Sequence, residues 1–198
     1  MVNNKKQQSG FALLVSLIVV GAILSIGLAI LDLSIKQVRL AATTKDSEIA
    51  FHAANAGLEC ARFWRRELDA EMIQGNPMAG VACFGSNPTP SPIPETGAAV
   101  VTSSSAGDAY VYTYEFTWGT GVQNQRCTSV TTVVAVSDFT GGGVEISNIR
   151  ALIPGYTSSS LTCAVASQCS AIAVQGYNRS CAQKNGFGTI QREVLLEF

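Results

Sequence analysis

The sequence predicts an α+β protein: one long N-terminal helix, half membrane-spanning and half amphipathic, packed on an antiparallel β-sheet. Three observations carry that prediction. No proline interrupts residues 11–73, and Gly21, Gly27 and Gly57 are the only glycines there. Further on, Tyr110, Tyr112, Tyr114, Phe116 and Trp118 alternate with smaller residues at the period of two that a strand requires. The helical and extended patterns occupy separate halves of the chain, which is the α+β arrangement.

The first element opens with a polar leader, residues 1–10, holding Lys5 and Lys6 and no acid. Phe11–Leu31 follows without a charge and is mostly Leu, Ile, Val and Ala. As a helix this run is about 31 Å long at ~1.5 Å per residue, which matches the ~30 Å hydrocarbon core of a bilayer. Lysines before an apolar span keep that end in the cytoplasm and send the remainder outward. A secretory signal would have a shorter core and then small residues at a cleavage site. Here Asp32-Leu-Ser-Ile-Lys-Gln-Val-Arg39 continues in helical register, so an uncleaved span is the favoured reading.

The amphipathic half is expected over residues 32–73. Val38, Ala42, Ile49, Ala53, Ala56, Cys60, Phe63 and Leu68 recur mostly at steps of three, four or seven and predict one apolar stripe. Lys36, Arg39, Lys45, Asp46, Glu48, Glu59, Arg65 and Arg66 fall largely outside it. Span and stripe together predict one helix of about sixty residues, roughly 90 Å long. Gly75-Asn-Pro77 ends it, because proline has no backbone donor. Residues 74–108 read as loop, with Ser86–Pro94 as an extended, exposed, proline-rich connector.

The body, residues 109–198, reads as strands at Ala109–Trp118, Cys127–Ser137, Gly143–Ile153, Ala171–Tyr177 and Thr189–Phe198, with Gly141-Gly-Gly143 suited to a turn. An aromatic row such as 110–118 is more often the core face of a sheet on a helix than a sugar or base platform.

Composition excludes several functions. The net charge of −1 offers no basic field for nucleic acid. Charged residues make up 14% of the chain, against a usual ~25%. The uncharged span accounts for part of that deficit, and a Ser-, Thr-, Gly- and Val-rich body accounts for the rest. His52 is the only histidine and sits mid-helix beside Phe51. There is no Gly-x-Ser-x-Gly, phosphate loop or histidine metal spacing, so no catalytic, cofactor or metal site is expected and the chain does not read as an enzyme. Asn178-Arg-Ser180 fits a glycosylation sequon that chance supplies often.

The six cysteines, an even number, all follow the apolar run, so disulfides are expected if the body lies outside the cytoplasm. None has the Cys-x-x-Cys spacing of zinc or redox motifs. Cys60 on the helix and Cys83 just beyond its end are the favoured pair, stapling the following loop to the helix. Cys163 and Cys169 would close a short loop, leaving Cys127 and Cys181. Six cysteines permit ~15 pairings, and the order beyond the first pair stays open.

Lys5-Lys-Gln-Gln-Ser-Gly10 followed by Phe11-Ala-Leu-Leu-Val-Ser-Leu-Ile-Val19 resembles the class III signal of type IV pilins and pseudopilins. Ala50-Phe-His-Ala-Ala-Asn-Ala-Gly-Leu58 resembles the Ala-Phe-x-Ala-Ala-Glu-Ala-Gly-Leu stretch of PilX-type minor pilins. Ile172-Ala-Val-Gln-Gly-Tyr-Asn178 before a last amphipathic strand is similar too, though less specific. The resemblance covers residues 5–65 well and the rest in architecture only.

It implies a pilin-like fold and a structural subunit of a type IV pilus or type II secretion-like filament. In that family a prepilin peptidase cuts after the glycine, here Gly10, and methylates the new N-terminal residue, here Phe11. Assembly then runs through the apolar helix, here Phe11, Leu14, Val15, Leu17 and Ile18. The implied partners are other pilin subunits, the peptidase, an inner-membrane assembly platform and the membrane itself. The implied location is the cytoplasmic membrane, N-terminus in, and then a filament at the cell surface. One residue departs from the pattern: major pilins carry Glu at the fifth position after the cut, and here that position is Val15. A buried unpaired ammonium costs several kcal/mol, so a subunit without this carboxylate fits a minor, priming or tip role. The rival expectation is a permanent single-pass membrane protein with an outer binding domain and no filament.

Overall fold

The computed structural model describes residues 8–91, 93, 99–104, 106–121, 124–139 and 142–198. Residues 1–7 with Lys5 and Lys6, Pro92 and residues 94–98 of the connector, and Gly141 of the glycine turn lie outside the described residues. The chain is α+β. A 60-residue helix, α1 (Gln8–Glu67), precedes all strands. The chain divides into two compact units, one ending at Lys45 and one spanning Asp46–Phe198.

In the first unit the described backbone is helix throughout, and its side chains from Phe11 onward are exposed. The apolar run contains two hydroxyls, Ser16 and Ser25, and a third, Ser34, stands just beyond it. Each donates to its own helix, at Leu13, Ala22 and Ile30, over 2.8, 2.8 and 2.9 Å. The first charges after the run, Asp32 and Lys36, pair at 2.8 Å.

The second unit is built on a five-stranded antiparallel sheet in the order β1-β2-β3-β6-β7. Its strands are β1 (Ala99–Ser104), β2 (Gly107–Trp118), β3 (Arg126–Ser137), β6 (Gln168–Tyr177) and β7 (Gln191–Glu197). Between them lie β4 (Val144–Ser147) and β5 (Ser160–Cys163), which pair as a second sheet, and a one-turn helix, α3 (Ile149–Leu152). One turn of helix, α2 (Asp69–Met72), follows α1.

The period-two alternation separates the sheet into two apolar faces. Tyr112, Tyr114 and Phe116 are buried with Val130, Val134, Ile172 and Val174 against Leu58 and Ala61 of α1 and Met72 of α2. On the other face Ala109, Val133, Ala135, Ala171 and Ala173 pack under Val144, Ile146, Ile149, Ile153 and Tyr156. The aromatic row is therefore core, and the sheet is covered on both sides.

Helix and sheet approach at backbone distance. A Cβ at Gly57 would run into Thr128 Cγ2, and one at Gly176 would run into the Ala50 carbonyl oxygen and the Ala54 amide. Thr128 Oγ1 uses that proximity to donate to the Ala53 carbonyl at 3.2 Å.

Several expectations are corrected. The buried stripe of α1 is Ala50, Ala53, Ala54, Leu58, Ala61 and Arg65, turned about one residue from the predicted one. Phe63 is 48% exposed and Val38, in the first unit, 69%. The cause is steric: only small residues fit where the helix rides on Gly176 and Thr128, so Phe51 and Phe63 are left outside. The helix also breaks once before its predicted end, at Leu68 (φ −109°, ψ 33°).

The stretch 74–108 contains β1, and Gly143–Ile153 is not one strand. Asn148 takes a left-handed turn (φ 63°) after β4 and starts α3. The strand β5, made of Ser, Leu, Thr and Cys, is not among the strands expected from the sequence. The proline-rich connector is less exposed than expected. Thr89 exchanges backbone hydrogen bonds of 2.9 and 3.0 Å with Glu115 on β2, and Pro88 and Ile93 are buried.

Candidate assembly helix

Helix formation in the first unit needs no tertiary help to explain its register. Leucine and alanine are good helix formers, and no proline or cap interrupts them. Gly10 lies in helical backbone. Phe11, Leu14, Val15, Leu17 and Ile18 are all exposed, as are the large apolar residues on to Leu33. Among the described residues one helix, at the N-terminal end, is long and apolar enough to cross a membrane, and none of its most apolar window is buried within the chain. Fully burying one such side chain is worth about 1.5–3 kcal/mol. Uncovered in water, the run would forgo tens of kcal/mol, so lipid or other protein must cover it. The self-satisfied serines suit that surrounding, since a hydroxyl without a partner in hydrocarbon is costly.

Gly21 and Gly27 have nothing within 4 Å of a would-be Cβ, so no contact within the chain requires them. Their effect is on backbone freedom, since glycine lowers helix propensity by about 1 kcal/mol relative to alanine.

In the second unit the structure pairs Cys60 with Cys83, Cys127 with Cys181 and Cys163 with Cys169. The first bond fastens the 74–91 segment to α1, where Trp64 Nε1 also donates to the Ala82 carbonyl at 3.1 Å. The second ties the segment after β6 to the start of β3, and the third joins β5 to β6. Glu115 stands near Cys127 and Cys181. Both sulfurs are bonded to each other and Glu115 pairs with Lys184. With no thiolate available, the trio as it stands is a structural tie rather than a ligand set.

Tyrosines seal the core. Tyr112 donates to the Met72 and Asn76 carbonyls, each at 3.1 Å, holding the end of α2 on the sheet. Burial pushes the Tyr114 phenol well above its usual range, partly offset by its hydrogen bond with Thr132. Burial, with Glu197 adding to it, pushes Tyr156 up to about 12.

Sequence reasoning missed Arg65, which it placed on the solvent side. Only 4% of it is exposed. Its Nε donates to Ser170 Oγ at 2.8 Å, and its guanidinium pairs with Asp69 one turn on. The i,i+4 spacing of Arg65 and Asp69 was the one available signal. Arg65 borders a cleft of about 350 Å³ with Arg66, Gln168, Ser170 and Phe198. A second cleft, of about 290 Å³, is lined by Arg62, Arg66, Leu196 and Phe198. His52 is exposed on the helix beside the Phe51 ring. Comparison with family models, curated proteins and solved structures finds no match to this chain.

Proposed function

We propose that this chain is a structural subunit of a type IV pilus or type II secretion-like filament, of the minor, priming or tip kind. A prepilin peptidase cuts it after Gly10 and methylates Phe11. The observation that carries the reading is the apolar run itself. It begins directly after Gly10, is unburied along its length and belongs to the same unbroken helix whose later turns pack on the sheet. Before the cut, lipid covers the run. After it, the same surface packs against the helices of neighbouring subunits, exchanging one apolar environment for another at little net cost. Val15 leaves the fifth position without a carboxylate for a neighbour's terminal ammonium, which supports a place at the tip or in priming over one repeated along the shaft. The head, with three disulfides and a doubly covered sheet, suits an extracytoplasmic surface.

Shearing and immunogold labelling of surface filaments test the proposal. The expected result is gold at filament ends from cells making the natural chain and none from cells making Gly10→Val. Chain found only in membranes, with no gold on filaments in either case, supports instead a permanent single-pass protein with an outer binding domain.

A further inference from the structure

The five-stranded sheet ends on β7, and the outer side of that strand is open. Ser170 and Phe198 exchange both backbone hydrogen bonds, at 2.8 and 3.0 Å, and the register runs unbroken from there to Tyr177 and Gln191. Every second pair of an antiparallel ladder is bonded in this way. Arg192, Val194 and Leu196 therefore turn their backbone groups to β6, while Glu193, Leu195 and Glu197 turn theirs outward. Among the described residues nothing bonds to those outward groups. The opposite edge, β1, has a register shift between Val100 and Thr102, an irregularity of the kind that blunts an edge. β7 has no such shift and no proline, and its centre, Val194-Leu195-Leu196, is apolar and half-buried.

The two faces of this edge differ in chemistry. Toward α1 stand Val194, Leu196 and Phe198, and the cleft beside the last two is walled by Arg62 and Arg66. The half-exposed Asp69 carboxylate borders the neighbouring cleft. On the other face Leu195 lies between Glu193 and Glu197. Glu193 accepts from Gln175 Nε2 at 3.1 Å, and Glu197 is hydrogen-bonded to the Tyr156 phenol. Both of those partners are neutral, and neither carboxylate makes an ion pair among the described residues.

We propose that β7 takes a sixth strand from another protein: an extended segment with two basic residues four apart and three apolar residues between them. The backbone of that segment completes the ladder at Glu193, Leu195 and Glu197. Its basic residues stand beside the two carboxylates, its central apolar residue beside Leu195, and the other two over Val194 and Leu196. A slip of one residue turns the cations toward Arg192, Arg62 and Arg66, so charge sets the register. A second copy of this chain fits poorly, because two β7 strands side by side gather four carboxylates, Glu193 and Glu197 of each, on one face. The inference goes beyond the filament reading. It gives the head a partner of its own and holds whether or not residues 1–10 are removed.

The test follows amide hydrogen exchange by NMR in the full chain in detergent, with the peptide acetyl-Thr-Lys-Val-Val-Val-Lys-Thr-amide as probe. In the free chain the amides of Val194 and Leu196 exchange slowly and those of Glu193, Leu195 and Glu197 quickly. Peptide at ~1 mM is expected to slow the second set about tenfold or more. Proline in place of the central valine removes a ladder donor and abolishes the effect. Glutamate in place of both lysines weakens binding about tenfold, and the chain carrying Glu193→Lys and Glu197→Lys reverses that preference. Slow exchange at Val194 and Leu196 reports that this variant is folded, and the two altered peptides test the natural chain without it. No slowing at that concentration, slowing elsewhere only, or equal binding of the basic and acidic peptides overturns the proposal. Slow exchange at Glu193, Leu195 and Glu197 without peptide, growing with chain concentration, also overturns it and assigns the edge to a second copy.

Discussion

Arg65 on the helix and Ser170 on β6 meet through a 2.8 Å hydrogen bond inside the head, although they lie 105 residues apart in the chain. The contact fixes the rotation of α1 on the sheet. Turning the helix by one residue would bring Arg66 or Trp64 to Ser170 and take the alanines off Gly176.

Arg65→Ala is therefore expected to cost about 1–3 kcal/mol, the range for losing a buried, charged hydrogen-bond partner. Most of that is the Ser170 bond and the packing of the side chain. Asp69 is 47% exposed, so water takes over its charge and the ion pair itself adds little. Denaturant unfolding of the full chain in detergent, followed by tryptophan fluorescence, measures the loss, and Ser170→Ala alone should reproduce only part of it.

Gly176→Ala should damage the head strongly. Its neighbours are the backbone of Ala50, Ala53 and Ala54, which cannot rotate away. Overpacking of this kind costs about 1–3 kcal/mol or more. Gly57→Ala meets the Thr128 and Val174 side chains rather than backbone, and should cost less. Gly21→Ala, with open space around it, should leave head stability unchanged. Equal effects at Gly176 and Gly21 in the same unfolding assay would contradict the packing described.

Alkali should weaken the head before it breaks covalent bonds. Tyr114 is raised in the folded state, so between pH 10 and its folded value the unfolded chain has lost a proton that the folded chain retains. Stability is then complete below about pH 10 and declines as pH rises beyond it. Tyr112, raised chiefly by burial, contributes in the same direction. Tyr114→Phe removes one ionisation and should give a shallower decline, measured as the unfolding midpoint against pH from 8 to 11.

Fold class was legible because its signals are long. The alternation from Tyr110 to Trp118 and the proline-free helix each extend over many residues, and both survive in the structure. What escaped was set by contacts between distant segments. The alanine face of α1 is chosen by Gly176 and Thr128, far along the chain, and no local pattern prefers Ala54 to Phe51 as the buried residue. β5 pairs with β4 through Ser, Leu, Thr and Cys and has little apolar signature of its own. The connector looked exposed because prolines lack donors, yet Thr89 had both groups free to pair with Glu115. In the candidate assembly helix the apolar run was plain from composition, while the clefts beside Arg66 depended on where β6 begins and β7 ends.

Mass spectrometry of the mature N-terminus tests the filament account most directly. Chain recovered from cells should begin at Phe11 and carry one added methyl group there, with residues 1–10 gone. Chain that retains residues 1–10, with an unmodified Phe11 inside it, contradicts the account.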